Sequence, residues 1–228
     1  MTEFFEYGIP SASVVLIQPV SAHDLPEIEE EARAIRSLTD ADFRLVAVKV
    51  ADWNADLSPW RAPAVFGNRD FGGGAEETLR AILPLCADGA KTYLIGGYSL
   101  AGLFALWAAY RTDAFSGAAA ASPSVWFPGF TDFMKANGIR CGAVCLSLGD
   151  QEEKAKNPVT ATVGDRIREA REILTAQGTR CVLEWNPGNH FRDAGGRTAK
   201  AFAWLMNGMP GQRSNDTARL SNNENRRT

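Results

Sequence analysis

Short, continuous apolar runs alternate with helical patterns along most of the chain. The segments 25–38 and 164–178 carry apolar residues at helical spacing, and Gly178 is a candidate helix stop. Apolar runs without polar alternation are typical of strands that are covered on both faces. Together the two patterns predict an α/β fold with a mostly parallel central sheet and helices on both faces. The apolar runs read ASVVLIQPV, FRLVAVKV, TYLIGGY, SGAAAAS, CGAVCLSLG and RCVLEW.

The length and composition indicate one domain. Of the 228 residues, 45% are hydrophobic and 22% are charged, which is ordinary usage for a globular protein. We expect an α/β domain over residues 1–207. Residues 208–228 are rich in Asn, Arg and Ser, so we expect a polar, disordered tail there.

Charge and hydropathy narrow the choice of partners. The net charge is −3 and no long basic run occurs, so we expect no nucleic-acid partner. The sequence begins without a signal-like segment, and no apolar stretch is long enough to span a bilayer. We therefore expect a cytoplasmic protein without a membrane partner. The sequence does not indicate an oligomeric state.

Cysteine and histidine usage indicates that the chemistry needs no metal. Cys86, Cys141, Cys145 and Cys181 are scattered in apolar surroundings, and we interpret them as buried free thiols. The chain has 2 histidines, too few for a histidine-rich metal centre. We expect neither a metal nor another cofactor.

Ser99 stands where an apolar strand pattern changes into an apolar helix pattern. Its surroundings, G-x-S-x-A-G, differ from the nucleophile elbow G-x-S-x-G by one methyl group, at Ala101. Small neighbours allow the sharp, strained turn that exposes a nucleophilic serine. The N–H of Leu100 would then donate to an oxyanion at the helix N-terminus. The alternatives are a helix N-cap serine and a degraded dinucleotide fingerprint that lacks its middle glycine.

A nucleophilic serine needs a base and an orienting acid, in the chain order Ser, acid, His for this fold. His190 is the histidine downstream of Ser99, in the loop NPGNHFRD after a strand pattern. Asp150, Glu152 and Glu153 follow the preceding strand pattern, and the residues alone leave the choice among them open. Taken singly, each could be an ordinary surface-loop residue. Their joint placement at successive strand ends predicts a catalytic triad.

The segments GGYSLAGLFALW, ASPSVWF, LSLGDQEEK and GNHFRDAGGRTAKAFAWL resemble an esterase family of α/β-hydrolases. That family includes enterochelin-esterase-like enzymes, feruloyl and acetyl xylan esterases and S-formylglutathione hydrolase, and the resemblance spans roughly residues 12–206. It implies an α/β-hydrolase fold with Ser99 as nucleophile and His190 as base. It also implies Glu152 as the acid, with Asp150 as second choice.

The same resemblance implies pocket residues and two departures from the family pattern. Ser124 and Trp126, in ASPSVWF, are implied to border the substrate pocket. Ala101 replaces the second elbow glycine. Few residues precede the first apolar run, so the extra antiparallel strands with which relatives begin are expected to be trimmed here.

Three further segments could contribute to the site. The loop 18–24 is the candidate for a second oxyanion donor, through the N–H of Ser21 or Val20. Trp53 or Trp60 could wall the pocket, or either could be core. The glycines of FGGGAEETLR are interpreted as a flexible loop that leads into a helix rather than as a phosphate site.

The sequence thus predicts a serine carboxylic-ester hydrolase that acts through an acyl-enzyme on small, soluble esters. The chain is too short for a large lid domain. The alternatives are a thioesterase or acyltransferase that uses the same triad, and a non-catalytic binding module with a hydrolase fold.

Overall fold

A mixed sheet of seven strands forms the centre of the computed structural model, which describes residues 3–209. The strand order is β1-β3-β2-β6-β7-β8-β9, and β1 is the antiparallel member. A short antiparallel pair, β4 and β5, lies outside this sheet. The strands are β1 (Glu3–Gly8), β2 (Val14–Val20), β3 (Phe43–Lys49), β4 (Arg61–Ala62), β5 (Phe71–Gly72), β6 (Thr92–Tyr98), β7 (Gly117–Ala121), β8 (Ala143–Gly149) and β9 (Arg180–Asn186).

Helices cover both faces of the sheet, as the sequence predicts. Helices α1 and α7 share one apolar core with the sheet, and α3 to α6 share the core on the opposite face. Alternate strand residues point to the two cores, so that Val15 and Ile17 face one and Leu16 the other. The helices are α1 (Ile28–Leu38), α2 (Trp53–Leu57), α3 (Ala75–Ile82), α4 (Leu100–Arg111), α5 (Phe130–Ala136), α6 (Val163–Ala176) and α7 (Ala194–Asn207).

Small residues at the centre of the sheet let two helices approach closely. Strand β7 reads GAAAA and is wholly buried; it contacts α4 on one face and α7 on the other. Helix α4 is buried from Leu100 to Tyr110, which explains its apolar composition all round. The strand that carries Ser99 at its end is therefore anchored within the core.

Strand β1 was missed in the sequence because it lies at the edge. Its residues alternate between exposed and half-buried, and they pair antiparallel with β3. Lys49 forms an ion pair with Glu3 at 2.8 Å, and Arg44 pairs with Glu6. Charged edge residues limit further strand pairing and remove the apolar run by which a strand is recognised. The expected trimming of the antiparallel start is thus incomplete, since one such strand is present.

Glycines lie at the end of α6 and at the start of α3. Helix α6 ends before Gly178, which has the left-handed φ of 80° expected of a helix stop. The glycines before α3 lead into the helix as expected. The N–H of Gly73 donates to Ser58 Oγ at 2.8 Å and that of Gly74 to the carbonyl oxygen of Ala55 at 2.7 Å.

The four cysteines form no disulfide within the described residues. All four cysteines are free thiols. Cys141 and Cys145 are buried, and Cys86 and Cys181 are half-buried. Within residues 3–209 no helix is long and apolar enough to cross a membrane. The tail predicted over 208–228 falls, from residue 210 onward, outside the described residues.

The packing at Gly97 in β6 predicts a stability effect. A Cβ atom at Gly97 would lie 2.6 Å from the Cβ of Ala101 in α4, so Gly97→Ala requires strand and helix to separate. We expect a loss of about 1–3 kcal/mol in the free energy of unfolding, measured by urea denaturation. Gly89→Ala is the matched control, since nothing lies within 4 Å of its Cβ position, and it should change stability by less than about 0.5 kcal/mol. Equal stability of the two variants would contradict this packing.

Candidate active site

Ser99 occupies a strained turn between β6 and α4. Its backbone φ of 57° and ψ of −118° lie outside the regions that residues other than glycine normally adopt. The turn is fixed on both sides, because the N–H of Ser99 donates to the carbonyl oxygen of Ala121 and its own carbonyl oxygen accepts from the N–H of Leu103 and Ser124. The hydroxyl makes no capping hydrogen bond to the helix. The turn has the strained backbone that the elbow interpretation predicts, and the hydroxyl does not cap the helix.

His190 brings its ring between Ser99 and an acid. Its Nε2 lies 3.0 Å from Ser99 Oγ, and its Nδ1 lies 2.7 Å from Oε2 of Glu152. The hydroxyl of Tyr98 donates to the backbone oxygen of His190 at 2.7 Å, which holds the loop after β9 against the elbow. The sequence places these residues far apart, and the fold joins them in one chain of hydrogen bonds.

Glu152 is the acid that contacts the histidine. Its side chain is 3% exposed, and Oε1 accepts three hydrogen bonds: from the N–H of Gly149, from Ser122 Oγ and from Nη1 of Arg197, at 2.8, 2.7 and 2.8 Å. Burial favours a raised pKa, but the hydrogen bonds from His190, Ser122 and Gly149 outweigh it and lower the pKa of Glu152. An ionised carboxylate can only accept, so Nδ1 of His190 carries the proton and Nε2 is free to accept one.

The other two candidate acids serve different contacts. Asp150 Oδ1 accepts from the N–H of Gly188 at 2.8 Å, which secures the loop after β9 and lowers the pKa of Asp150. Glu153 forms an ion pair with Arg168 at 2.8 Å. Neither carboxylate has a hydrogen bond to His190 among the described residues. The geometry favours Glu152, as the family resemblance implies, and leaves its catalytic role as a prediction.

Arg197 in α7 was missed in the sequence although it organises this site. Its side chain is fully buried, and besides Glu152 its Nη1 donates to Tyr98 Oη and Ser122 Oγ. Its Nη2 donates to the backbone oxygens of Pro187 and Asn189 in the histidine loop. Burial raises the pKa of Tyr98 to about 12, so its hydroxyl remains a neutral donor. The sequence has no signal that singles out Arg197, because Lys200 lies in the same helix and only the fold shows which of the two cations is buried.

The proposed oxyanion donors lie in different elements of the fold. The N–H of Leu100 belongs to the first turn of α4, where amides have no intrahelical acceptor. Ser21 follows β2, and its hydroxyl donates to Asp24 Oδ2 at 2.7 Å in a local turn. Val20 lines the cleft in front of Ser99. The donor roles of Leu100 and of Ser21 or Val20 stay predictions.

A cleft of about 470 Å³ opens in front of the serine and is lined by Ser99, His190 and Trp53 among others. Ser124 is buried, with its Oγ 3.4 Å from that of Ser99. Trp126 packs against Phe66 and Phe71, and it is not one of the residues that line this cleft in the described chain. Their predicted substrate contacts stay predictions.

Two further features bear on the sequence interpretation. Trp60 is not a cleft residue: its indole N–H donates to the carbonyl oxygen of Pro128, and its rings pack against Phe127, Phe130 and Phe133. Across residues 3–209, no group of three or more His, Cys, Asp or Glu side chains is arranged to hold a metal ion.

No protein-family profile matches the chain, and no curated protein matches it by sequence. Solved structures do match. The chain is similar to an IroE-like serine hydrolase from Shewanella oneidensis, with a TM-score of 0.69, 14% identity and coverage of 90% of this chain and 75% of that one. It is also similar to the siderophore hydrolase EstB from Aspergillus nidulans, with a TM-score of 0.64, 17% identity and coverage of 92% and 96%. Esterase PE8 gives a TM-score of 0.59, 19% identity and coverage of 90% and 98%.

The chain therefore has the α/β-hydrolase fold, and the fold predicted from the sequence is confirmed. Ser99 lies in the strand-to-helix turn after β6, and its role as nucleophile stays a prediction.

The burial of Arg197 and Glu152 predicts a large stability effect. Arg197→Met leaves the Glu152 carboxylate buried without its cation, and we expect a loss of about 3–5 kcal/mol in the free energy of unfolding. The control is Lys200→Met, which removes a half-exposed cation from the same helix and should cost less than about 1 kcal/mol. Urea denaturation near neutral pH provides the measurement. A loss at Arg197 no larger than that at Lys200 would contradict the importance of the buried pair.

Proposed function

We propose that the protein is a serine hydrolase that cleaves carboxylic esters through an acyl-enzyme. The observation that carries this proposal is the continuous hydrogen-bonded chain from Ser99 Oγ to His190 Nε2 at 3.0 Å and from His190 Nδ1 to Glu152 Oε2 at 2.7 Å. Such a chain activates a hydroxyl that is otherwise a weak nucleophile at neutral pH. The names of the similar structures, which include serine hydrolase and esterase, support the same class of reaction.

In the proposed mechanism, Ser99 Oγ attacks the ester carbonyl carbon while His190 Nε2 takes the hydroxyl proton. Glu152 keeps the Nδ1 proton in place and stabilises the imidazolium that forms. The N–H of Leu100 and a second N–H, at Ser21 or Val20, would bind the oxyanion of the tetrahedral intermediate.

Breakdown of that intermediate returns the proton. His190 donates it to the leaving alcohol oxygen, the carbon–oxygen bond breaks and the acyl group stays on Ser99. A water molecule then repeats the attack with His190 as base, which releases the acid and restores the serine hydroxyl. The cleft volume of about 470 Å³ supports a small soluble ester as the substrate.

Replacing the nucleophile tests the proposal directly. Ser99→Ala removes the attacking oxygen, so we expect kcat on p-nitrophenyl butyrate to fall by about 10⁶-fold, the scale seen when a triad nucleophile is lost. A fluorophosphonate probe should label the unmodified protein and not this variant. Ser37→Ala is the control, because it removes an exposed hydroxyl of α1 outside the cleft, and it should leave turnover and labelling unchanged.

A loss of less than tenfold in Ser99→Ala, or labelling that survives the substitution, would overturn the mechanism. Absence of both turnover and labelling in the unmodified protein would instead favour a non-catalytic module.

The acid is tested by two isosteric substitutions. Glu152→Gln removes the acceptor that fixes the Nδ1 tautomer of His190, so we expect kcat to fall by about 10⁴-fold with the fold retained. Asp150→Asn keeps an oxygen for the N–H of Gly188 and should lower kcat by less than about tenfold. Circular dichroism checks the fold, and p-nitrophenyl butyrate turnover gives the rates. The reverse order of effects would assign the acid to Asp150.

A further inference from the structure

Two polar side chains lie buried in the cleft that contains Ser99. Gln18, near the end of β2, is 4% exposed, and Glu31, in α1, is 6% exposed. The amide Nε2 of Gln18 donates to Oε2 of Glu31 at 3.3 Å. Both residues line the cleft together with Ser99 and His190. They form a pair on the side of the cleft made by β2 and α1.

Each member of this pair keeps one oxygen without a partner. Within residues 3–209, Oε1 of Gln18 and Oε1 of Glu31 accept no hydrogen bond. A buried acceptor without a donor is costly, and native structures keep few of them without a reason. The other buried unpartnered side-chain atoms of the described chain belong to residues outside this cleft. Two free acceptors beside the proposed nucleophile point to a ligand that supplies donors.

The charge of the cleft indicates which donors fit. Asp24 and Glu27 line it as well, and neither they nor Glu31 form an ion pair with Lys or Arg in residues 3–209. The basic side chains that line the cleft in the described chain are His23 and His190. A cleft with excess carboxylates concentrates cations and repels anions. A negatively charged substrate group is therefore disfavoured on this side.

We propose that Gln18 and Glu31 bind an ammonium group carried by the ester substrate. An ammonium has three N–H donors, enough to supply both unpartnered Oε1 atoms. The inference rests on the proposed ester hydrolysis and specifies its substrate class as cationic, amine-bearing esters. The amine is on the acyl part or on the alcohol part, whichever occupies this side of the cleft.

The titration of Glu31 supports this geometry. Burial raises the pKa of Glu31 to about 8; the hydrogen bond from Gln18 opposes this rise, and the charges of Asp24 and Glu27 add to it. A bound ammonium favours the carboxylate, so binding below that pKa releases a proton. Because an alkyl ammonium keeps its charge to about pH 10, the preference for cationic ligands should rise from about pH 6 to about pH 9. His23 and His190 also line the cleft that Glu31 faces.

The test compares cationic esters with neutral isosteres on each side of the ester bond. The acyl pair is p-nitrophenyl 6-aminohexanoate and p-nitrophenyl heptanoate, and the alcohol pair is 6-aminohexyl butyrate and heptyl butyrate. At about pH 8.5, where Glu31 is mostly ionised, we expect kcat/KM to favour the cationic member of at least one pair by about tenfold or more. A tenfold preference corresponds to the contribution of about one charge-assisted hydrogen bond.

Matched variants assign that preference to the pair. Glu31→Gln removes the charge and should reduce the preference about tenfold and abolish its rise with pH. Gln18→Met removes one acceptor and should reduce the preference by a smaller factor. Glu29→Gln makes the same charge change two positions away on the exposed face of α1, and it should retain the preference. A preference near one in both ester pairs, or one that survives Glu31→Gln, overturns the inference.

A binding measurement separates this inference from the proposed function. Calorimetric titration of the unmodified protein with hexylammonium chloride, in two buffers of different ionisation enthalpy, reports affinity and proton release without any hydrolysis. Binding that releases protons, and that Glu31→Gln weakens about tenfold, supports the cation site even if no ester is turned over. Failure of hexylammonium to bind, or equal affinity for 1-hexanol, overturns the site. Lack of turnover of all four esters would contradict the ester hydrolase alone.

Discussion

The buried ion pair between Arg197 and Glu152 connects elements that are distant in the chain. Arg197 projects from α7 and reaches the ends of β6 and β7 through Tyr98 and Ser122, while Glu152 follows β8. The same guanidinium holds two carbonyl oxygens of the loop that carries His190. A planar group with five donors can satisfy all these acceptors from one position, which a lysine could not do. The loop that carries His190 and the Glu152 carboxylate are thus both held by one side chain.

This arrangement explains why Glu152 and not its neighbour Asp150 faces the histidine. Gly149 ends β8, and its N–H donates to Glu152 Oε1, so the chain turns back over the strand end and buries the glutamate. Asp150, one residue after the glycine, points instead to the loop and binds the N–H of Gly188. Both acids therefore stabilise the same loop by different contacts.

The sequence predicted the parts of the site that depend on local pattern. Ser99 was recognisable because a strained strand-to-helix turn demands small neighbours, and His190 because the chain offers one histidine downstream. The choice of Glu152 required knowledge of a family, since three acids share one loop and only tertiary contacts distinguish them. Arg197 and Ser122 could not be assigned, because their roles arise where α7 crosses the sheet. Strand β1 could not be predicted, because an edge strand with exposed residues has no continuous apolar run in the sequence.

Two buried glutamates, Glu31 in the cleft lining and Glu152 behind His190, show how the environment determines charge. Glu152 and Glu31 are 5% and 6% exposed, so desolvation penalises the ionised form of both. Glu152 has a cation, a hydroxyl, an amide and an imidazole N–H as donors, and its pKa is lowered. Glu31 has one amide donor and two acidic neighbours, and its pKa rises to about 8. Glu152 has more hydrogen-bond donors than Glu31, and donors favour the ionised form against the desolvation that both carboxyls undergo. A carboxyl already supplied with donors has no capacity for a ligand, whereas one that lacks them gains most from a substrate that brings its own.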